Sequence, residues 1–311
     1  MRRYTVVQVD AFTTTPLQGN PCAVLPDARG LTDAEMQAIA REMNLSETAF
    51  VFPSDKADFR FRYFTPAAEI PLAGHPTIST AHVLVEEGRI PLRDGQATFT
   101  MELNVGVLPV EIVERSGHVT RVVMTQKKPE FGRTFEHAEV ARVFGLAVDD
   151  LDARFAPQVV STGTPQLMVL AQSLDVLKRI HADFYALQEF SRRNHFFSAH
   201  VFCLGGFGPG ADTHARHYAP EGGIAEDPFT GSASGGMGAY IVHHGILPGP
   251  RFHIEQGHLC GRPGEGDVQV VGPRENIETV KVGGPAITVM RGELELYMAL
   301  AFLPVSNVCH S

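Results

Sequence analysis

The chain has 311 residues, 44% of them apolar and 20% charged, with a formal charge of −9. That length exceeds the usual size of a single core and predicts two domains of an ordinary globular protein. No apolar run reaches the 18 residues of a membrane span and no Lys/Arg cluster could track phosphates, so neither a membrane nor a nucleic acid is expected as partner.

Met1 to Asp10 starts basic, but Gln8 and Asp10 interrupt any apolar region, so it reads as a first strand and not a signal peptide. Tyr4 to Phe12 alternates apolar and polar residues, as a strand does. Gly19-Asn20-Pro21 turns the chain into a second apolar stretch, Cys22 to Leu25. Thr32-Asp33-Ala34-Glu35 has the form of a capping box, and Met36, Ile39, Ala40 and Met43 follow at helical spacing, which predicts a helix over 32–43. Asn44 to Thr48 ends it, and strands are predicted at Ala49 to Phe52 and at Phe59 to Tyr63. A second helix runs from Thr77 to Glu87, with Pro76 in its first turn and Gly88 closing it. Its middle, Ile78 to Leu84, is small or apolar nearly all round, so this helix is expected to be enclosed.

The second half of the chain echoes the first. Arg62-Tyr63-Phe64-Thr65-Pro66-Ala67-Ala68-Glu69-Ile70 is matched by Arg216-His217-Tyr218-Ala219-Pro220-Glu221-Gly222-Gly223-Ile224, with arginine, proline and isoleucine at one offset of 154. Gly163-Thr164-Pro165 leading into Leu167 to Leu170 repeats the earlier turn and strand more weakly. Each copy then enters a helix of small residues, the second from Ala233 to His244 with Gly245 as stop. Gly235, Gly236 and Gly238 lie inside it, each costing about 1 kcal/mol relative to alanine, which suggests close approach of other backbone. Segments 97–125 and 268–302 read as meanders of short strands. The architecture expected is α/β, with two similar domains, 1–122 and 123–311, each a sheet wrapped around a central helix. The linker falls near Gln126 to Pro129, and the final strand is free to cross back to the first domain.

Three titratable residues stand at the turns of this repeat. Glu47 lies between a helix and a strand; it is either solvated or drawn inward by the apolar strand that follows, and in the latter case can exchange a proton near neutrality. His75 is a structural histidine or a site residue, and at a helix start its neutral ring is favoured. Asp227 precedes the second helix and is a cap or a catalytic carboxylate. The backbone amides at Gly74-His75 and Gly231-Ser232 suit an anion such as the carboxylate of a small acid.

Other chemistries find no support. Gly206-Phe207-Gly208-Pro209-Gly210-Ala211 has the loose form of a dinucleotide loop, but Pro209 and the strand-like residues after it leave no helix to complete one. None of the 14 histidines falls in a His-Glu-x-x-His pattern, and adjacent His243 and His244 face different ways on a helix. Cys22, Cys203, Cys260 and Cys309 are far apart with no Cys-x-x-Cys spacing, and read as buried, inert thiols of a cytoplasmic protein.

At these residues the chain resembles the PhzF family, the phenazine-biosynthesis isomerase and its relatives. The resemblance is carried by Gly19-Asn20-Pro21, by Met36 to Phe50, by Phe64 to Thr77, by Glu226 to Ala233, and by Gln256-Gly257 with Gly261-Arg262-Pro263. It implies two domains of the diaminopimelate-epimerase type, a homodimer, and neither cofactor nor metal. It further implies that Glu47 moves a proton between carbons of trans-2,3-dihydro-3-hydroxyanthranilate or an analogue, that His75 and Asp227 complete the catalytic set, and that Gly74, Thr230, Gly231 and Ser232 bind the substrate. Pro228-Phe229 departs from the small residues expected there, and a bulky ring beside the site bears on which substrate is taken. The alternatives are an amino-acid racemase or epimerase of the sister family and a non-catalytic protein that binds a metabolite or a partner protein. Racemases of that type use two thiols near the helix starts, whereas Leu72-Ala73-Gly74-His75 and Phe229-Thr230-Gly231-Ser232 contain none.

Overall fold

The computed structural model describes residues 1–115 and 118–297. In chain order the first half contains β1 (Arg2–Ala11), β2 (Asn20–Leu25), α1 (Asp33–Met43), β3 (Glu47–Phe52), β4 (Phe59–Phe64), β5 (Glu69–Ile70), α2 (Gly74–Glu86), β6 (Gln96–Leu103), β7 (Gly106–Arg115) and β8 (His118–Thr125). The second contains β9 (Glu130–Thr134), α3 (His137–Val143), β10 (Gln158–Ser161), β11 (Pro165–Leu170), α4 (Leu174–Lys178), α5 (Phe184–Asn194), β12 (Ser198–Leu204), β13 (Thr213–Ala219), β14 (Ile224–Asp227), α6 (Gly231–His244), β15 (Arg251–Gln256), β16 (Gly264–Val271), β17 (Thr279–Gly284) and β18 (Ala286–Leu296).

Strand pairing makes the internal symmetry explicit. Hydrogen-bonded neighbours run β18-β1-β2-β3-β4-β6-β7-β8 and, across an antiparallel seam of Val122–Thr125 with Lys281–Gly284, continue β17-β16-β15-β13-β12-β11-β10-β9. The order is palindromic about that seam. β2 and β3 are parallel, as are their counterparts β11 and β12, and so are the two strands that flank the short β5 or β14. The last strand, β18, returns to pair with β1, just as β9 crosses forward from β8 to pair with β10. The fold is thus mixed α/β, with one curled sheet around α2 and its twin around α6.

The local signals act as the sequence suggests. Thr32 caps α1 with a complete capping box, and Asn44 ends it in the left-handed conformation. α2 is buried continuously from His75 to Leu84, so no solvent face is available to give it an amphipathic pattern. It starts at Gly74, three residues before the start expected from sequence, and α6 starts at Gly231, two residues before its own. Gly74 and His75 therefore lie in the first helical turn. The repeat offset also changes within the motif. It is 154 at Arg62 and Arg216 but 157 at Gly74 and Gly231, because a short 3-10 turn, Pro220–Gly222, adds three residues. Ile70 consequently corresponds to Asp227 and not to Ile224: Ile70 pairs with Tyr63, and Asp227 with His217, in equivalent registers.

The repeated arginines anchor these hairpins. Arg62 grips Glu69 by two parallel bonds of 2.8 and 2.6 Å, and Arg216 grips Glu226 by bonds of 2.8 and 2.7 Å. Such forked pairs fix geometry as well as adding attraction. Each clamps the short strand that leads into a central helix.

The interior glycines of α6 answer to side chains packed around the helix, not to backbone. A Cβ on Gly235 would lie 1.9 Å from Gln126 Oε1, one on Gly236 2.8 Å from Met168 Cε, and one on Gly238 2.4 Å from Val268 Cγ1. Valine is stiff about its Cα–Cβ bond and sits here in a paired strand. Gly238→Ala should therefore destabilise the protein by about 1–3 kcal/mol despite alanine's better helix propensity, read as a lower urea midpoint. A midpoint at or above that of the unaltered protein would refute this packing argument.

Candidate active site

The two central helices meet head to head. A Cβ on Gly74 would lie 3.3 Å from Gly231 Cα and 3.5 Å from the Ser232 amide nitrogen, so the helix ends touch with no side chain between them. Neither N-cap residue, Ala73 or Thr230, offers its side chain to its own helix. The partial positive charge of both N-termini is thus concentrated at one place between the halves.

Glu47 begins β3 beside this junction, its side chain only 13% exposed. Its Oε2 lies 3.1 Å from His75 Nε2 but makes no aligned hydrogen bond, and Ser46 Oγ approaches the same ring nitrogen at 3.4 Å. The His75 ring is also hydrogen-bonded to the Pro21 carbonyl. Burial lowers its pKa to about 3, so the imidazole is neutral at any physiological pH. A neutral ring was expected at a helix start; the main cause is desolvation. Burial also raises the Glu47 pKa, and the nearby charge of Asp227 raises it further.

Asp227 is 6% exposed and held from both halves. Asn20 Nδ2 donates to its Oδ1 at 2.8 Å and to the Phe229 carbonyl at 2.8 Å, while the Thr230 hydroxyl donates to Oδ2. Gln256 Nε2 donates to the Asp227 carbonyl at 2.7 Å, and its Oε1 accepts from the Thr230 amide at 3.1 Å. Despite these bonds, desolvation keeps the Asp227 carboxyl above its ordinary pKa. Asp227 does not cap α6. Arg262 of the second half donates to Asp10 and to the Gln18 and Gly19 carbonyls, holding in place the loop that presents Asn20.

Glu47, His75 and Asp227 therefore converge, with Gly74, Thr230, Gly231 and Ser232 at the helix ends around them. Asn20, Ser46 and Gln256 belong to the same network. They lie in segments that carry the family resemblance, but the bonds made by Asn20 and Gln256 had no sequence signal, because each acts through a partner far along the chain. A cleft of about 700 Å³ opens beside Asn20, Ser46 and Asp227, with Arg41 and Asn44 on its rim. A larger groove of about 1060 Å³, near His82 and Asp267, lies away from these residues.

Phe229 does not narrow the cleft as its sequence position suggested. Its ring is fully buried and stacks on Phe12 at 3.9 Å between the halves. Of the cysteines, only Cys260 among the described residues departs from the burial expected. Cys22 is remote from Glu47 in sequence but is its direct neighbour across β2 and β3. Its thiol is fully buried, and burial pushes its pKa well up. Cys203 is buried, Cys260 is exposed, and Cys309 lies outside the described residues. Among the described residues, one group has the chemistry to hold a metal ion, His214, Glu255 and His258, and it lies outside the cleft. None of the described helices is long and apolar enough to cross a membrane.

The family model described as "Phenazine biosynthesis-like protein" matches residues 9–292. The chain belongs to the PhzF family. A trans-2,3-dihydro-3-hydroxyanthranilate isomerase of Pseudomonas fluorescens is 34% identical over 298 residues, 95% of this chain and all of that one (100%). The crystal structure of a PhzF-family phenazine biosynthesis protein from Bacillus anthracis matches with a TM-score of 0.87 at 34% identity, covering 95% of this chain and 100% of that one. A hydroxyproline epimerase from Agrobacterium vitis shares the fold at 13% identity, with a TM-score of 0.63 over 94% of this chain and 91% of its own. The protein is a PhzF-family isomerase with the fold of the epimerases.

The raised Glu47 pKa has a consequence for stability. The folded protein binds this proton more tightly than the unfolded chain, whose glutamate titrates near about 4.3. Stability from this group is present below the unfolded pKa and is lost as pH rises through the folded one. Glu47→Gln has no proton to lose. Its melting temperature should exceed that of the unaltered protein by a margin that widens from pH 5 to pH 9 in calorimetry. A margin independent of pH would contradict the burial of this carboxyl.

Proposed function

We propose that this isomerase moves a proton between two carbons of a small cyclic acid, trans-2,3-dihydro-3-hydroxyanthranilate or an analogue, with Glu47 as the acid/base. The observation that carries the reading is the buried Glu47 carboxyl, with Oε2 unbonded, beside a neutral imidazole and two uncapped helix N-termini. The name of the Pseudomonas fluorescens relative supports the substrate class.

In this mechanism the Glu47 carboxylate takes a proton from one substrate carbon. The electron pair left behind delocalises toward the substrate's carboxylate, which lies at the amides of Gly74-His75 and Gly231-Ser232. Fixed donors at a helix N-terminus stabilise such developing charge without reorganising. The protonated Glu47 then returns the proton to a second carbon on the same face. His75, neutral throughout, orients the Glu47 carboxyl, and Asp227 holds a substrate donor across the cleft. Protons and electrons balance without an oxidant or a reductant, so the proposal requires no cofactor.

Glu47→Gln should lower kcat by about two to four orders of magnitude on the accepted substrate while circular dichroism stays unchanged. Wild-type turnover in this variant would remove Glu47 from the mechanism. If the carboxylate form of Glu47 starts the reaction, kcat/KM falls as pH drops through its pKa. Removing the negative charge of Asp227 lowers that pKa. Asp227→Asn should accordingly move the acid limb of the profile to lower pH, and an unmoved or raised limb would sink the assigned coupling.

The racemase reading needs a second base opposite the first. The equivalent N-cap positions carry Ala73 and Thr230, and an unactivated hydroxyl is far less acidic than a thiol. No amino acid should therefore racemise, and alkylating accessible cysteines should leave activity intact. Deuterium entering the alpha carbon of an amino acid from deuterated buffer, with inversion that thiol reagents block, would reverse this conclusion.

A further inference from the structure

The glycine-rich loop after β12 has a function unrelated to nucleotides. Phe207 N donates to Glu255 Oε2 at 2.7 Å and Gly208 N donates to Oε1 at 2.9 Å. A Cβ on Gly206 would lie 2.4 Å from Oε2, and one on Gly208 2.7 Å from Oε1. The loop is therefore a cradle for one carboxylate, and a side chain at either glycine would displace it.

That carboxylate is aimed at two histidines. Strand register sets His214 of β13 directly beside Glu255 of β15. The His214 side chain is fully buried and neither ring nitrogen has a hydrogen-bond partner. Its Nδ1 stands 3.6 Å from Glu255 Oε2, too far for a good hydrogen bond. His258, in the 3-10 turn His258–Cys260 after β15, has a buried and equally unpartnered Nδ1. Phe207 stacks flat on the His258 ring at 4.6 Å and meets the His214 ring edge-on at 5.0 Å, so both imidazoles are held in orientation.

We propose that His214, Glu255 and His258 form a zinc site. One ligand atom from each lies within 4.8 Å of the others. Two atoms bound to one tetrahedral Zn²⁺ stand roughly 3.4 Å apart, given bonds of about 2.0–2.2 Å. His214 and Glu255 are already close to that spacing at 3.6 Å, and the closure that remains falls on the half-buried His258. Two imidazoles and a carboxylate suit this ion, with water in the fourth position. The Phe207 and Gly208 amides orient the carboxylate from outside the coordination sphere, as partners of metal ligands commonly do.

Charge favours the same reading. Among the described residues His214 is the only ion-pair partner of Glu255, and its fully buried ring has both nitrogens unpartnered. A metal ion would take a ring lone pair and balance the charge of a carboxylate whose hydrogen-bond donors are two backbone amides. The site occupies the outer face of the sheet, and no step of the proposed reaction passes through it. Gln256, the next residue of β15, projects to the opposite face and holds Asp227 and Thr230. The ion would thus fasten β13 to the strand end that supports the catalytic turn.

The full-length chain, stripped with a chelator, dialysed against Zn²⁺ and gel-filtered, should retain one equivalent of zinc by mass spectrometry and melt at a higher temperature than the stripped form. His258→Ala, at a half-buried position, and Gly208→Ala, which displaces the carboxylate, should each weaken zinc binding at least tenfold. His253→Ala should leave it unchanged; that residue, on the same strand as Glu255 and beside Glu265 and Asp267, is a competing surface histidine. With Co²⁺ in place of zinc, visible absorption should report a tetrahedral nitrogen and oxygen environment that disappears in His258→Ala. Absence of a retained equivalent, or loss of binding in His253→Ala but not in His258→Ala, would overturn the site.

Discussion

The contact between Gly74 and Gly231 is the constraint on which the site depends. Each helix end carries about half a positive charge, and bringing two together is unfavourable unless negative charge lies close by. Glu47 and Asp227 are placed to supply it, yet both are buried, and burial resists their ionisation. The result is a pair of carboxyl groups poised between two opposing demands. An acidic ligand whose carboxylate met the amides beside this junction would relieve the first demand.

Symmetry of the frame makes the asymmetry of the chemistry easy to see. Cys22 pairs with Glu47 across β2 and β3, and Gln166 pairs with Ser198 at the same register of β11 and β12. His75 and Ser232 both occupy the second residue of a central helix. The first half thus carries a carboxyl and an imidazole where the second carries two hydroxyls. Asp227 reverses the arrangement, standing where the first half has Ile70. One frame, used twice, places the Glu47 carboxyl in one half and the Asp227 carboxyl in the other.

Crossing segments hold the halves in this relation. β18 returns to β1, β9 reaches β10, and Arg262 ties the Asn20 loop to the second half through Asp10. Phe12 stacked on Phe229 adds an apolar contact beneath the helix ends. A cleft between two bodies joined this way is set by packing, so its residues need no further support from a ligand to stand in register.

The sequence by itself determined what short-range interactions govern. The capping box at Thr32, the period-two strands, the enclosed composition of α2, the glycine stops and the recurrence of Arg62 as Arg216 are all local patterns, and all have a local physical cause. Motif resemblance carried Glu47, His75 and Asp227 to the same place. Only the tertiary structure decided what depends on residues far apart in the chain. Asn20 and Asp227 are 207 residues apart, and their bond could not be seen along the chain. The shift of the repeat from 154 to 157, the burial of Phe229 away from the cleft, the position of Cys22 against Glu47 and the Glu255 cradle are facts of the same kind. The reason is physical. Caps and periodicity act over a few residues, whereas desolvation and strand register arise only when distant segments close around the same point.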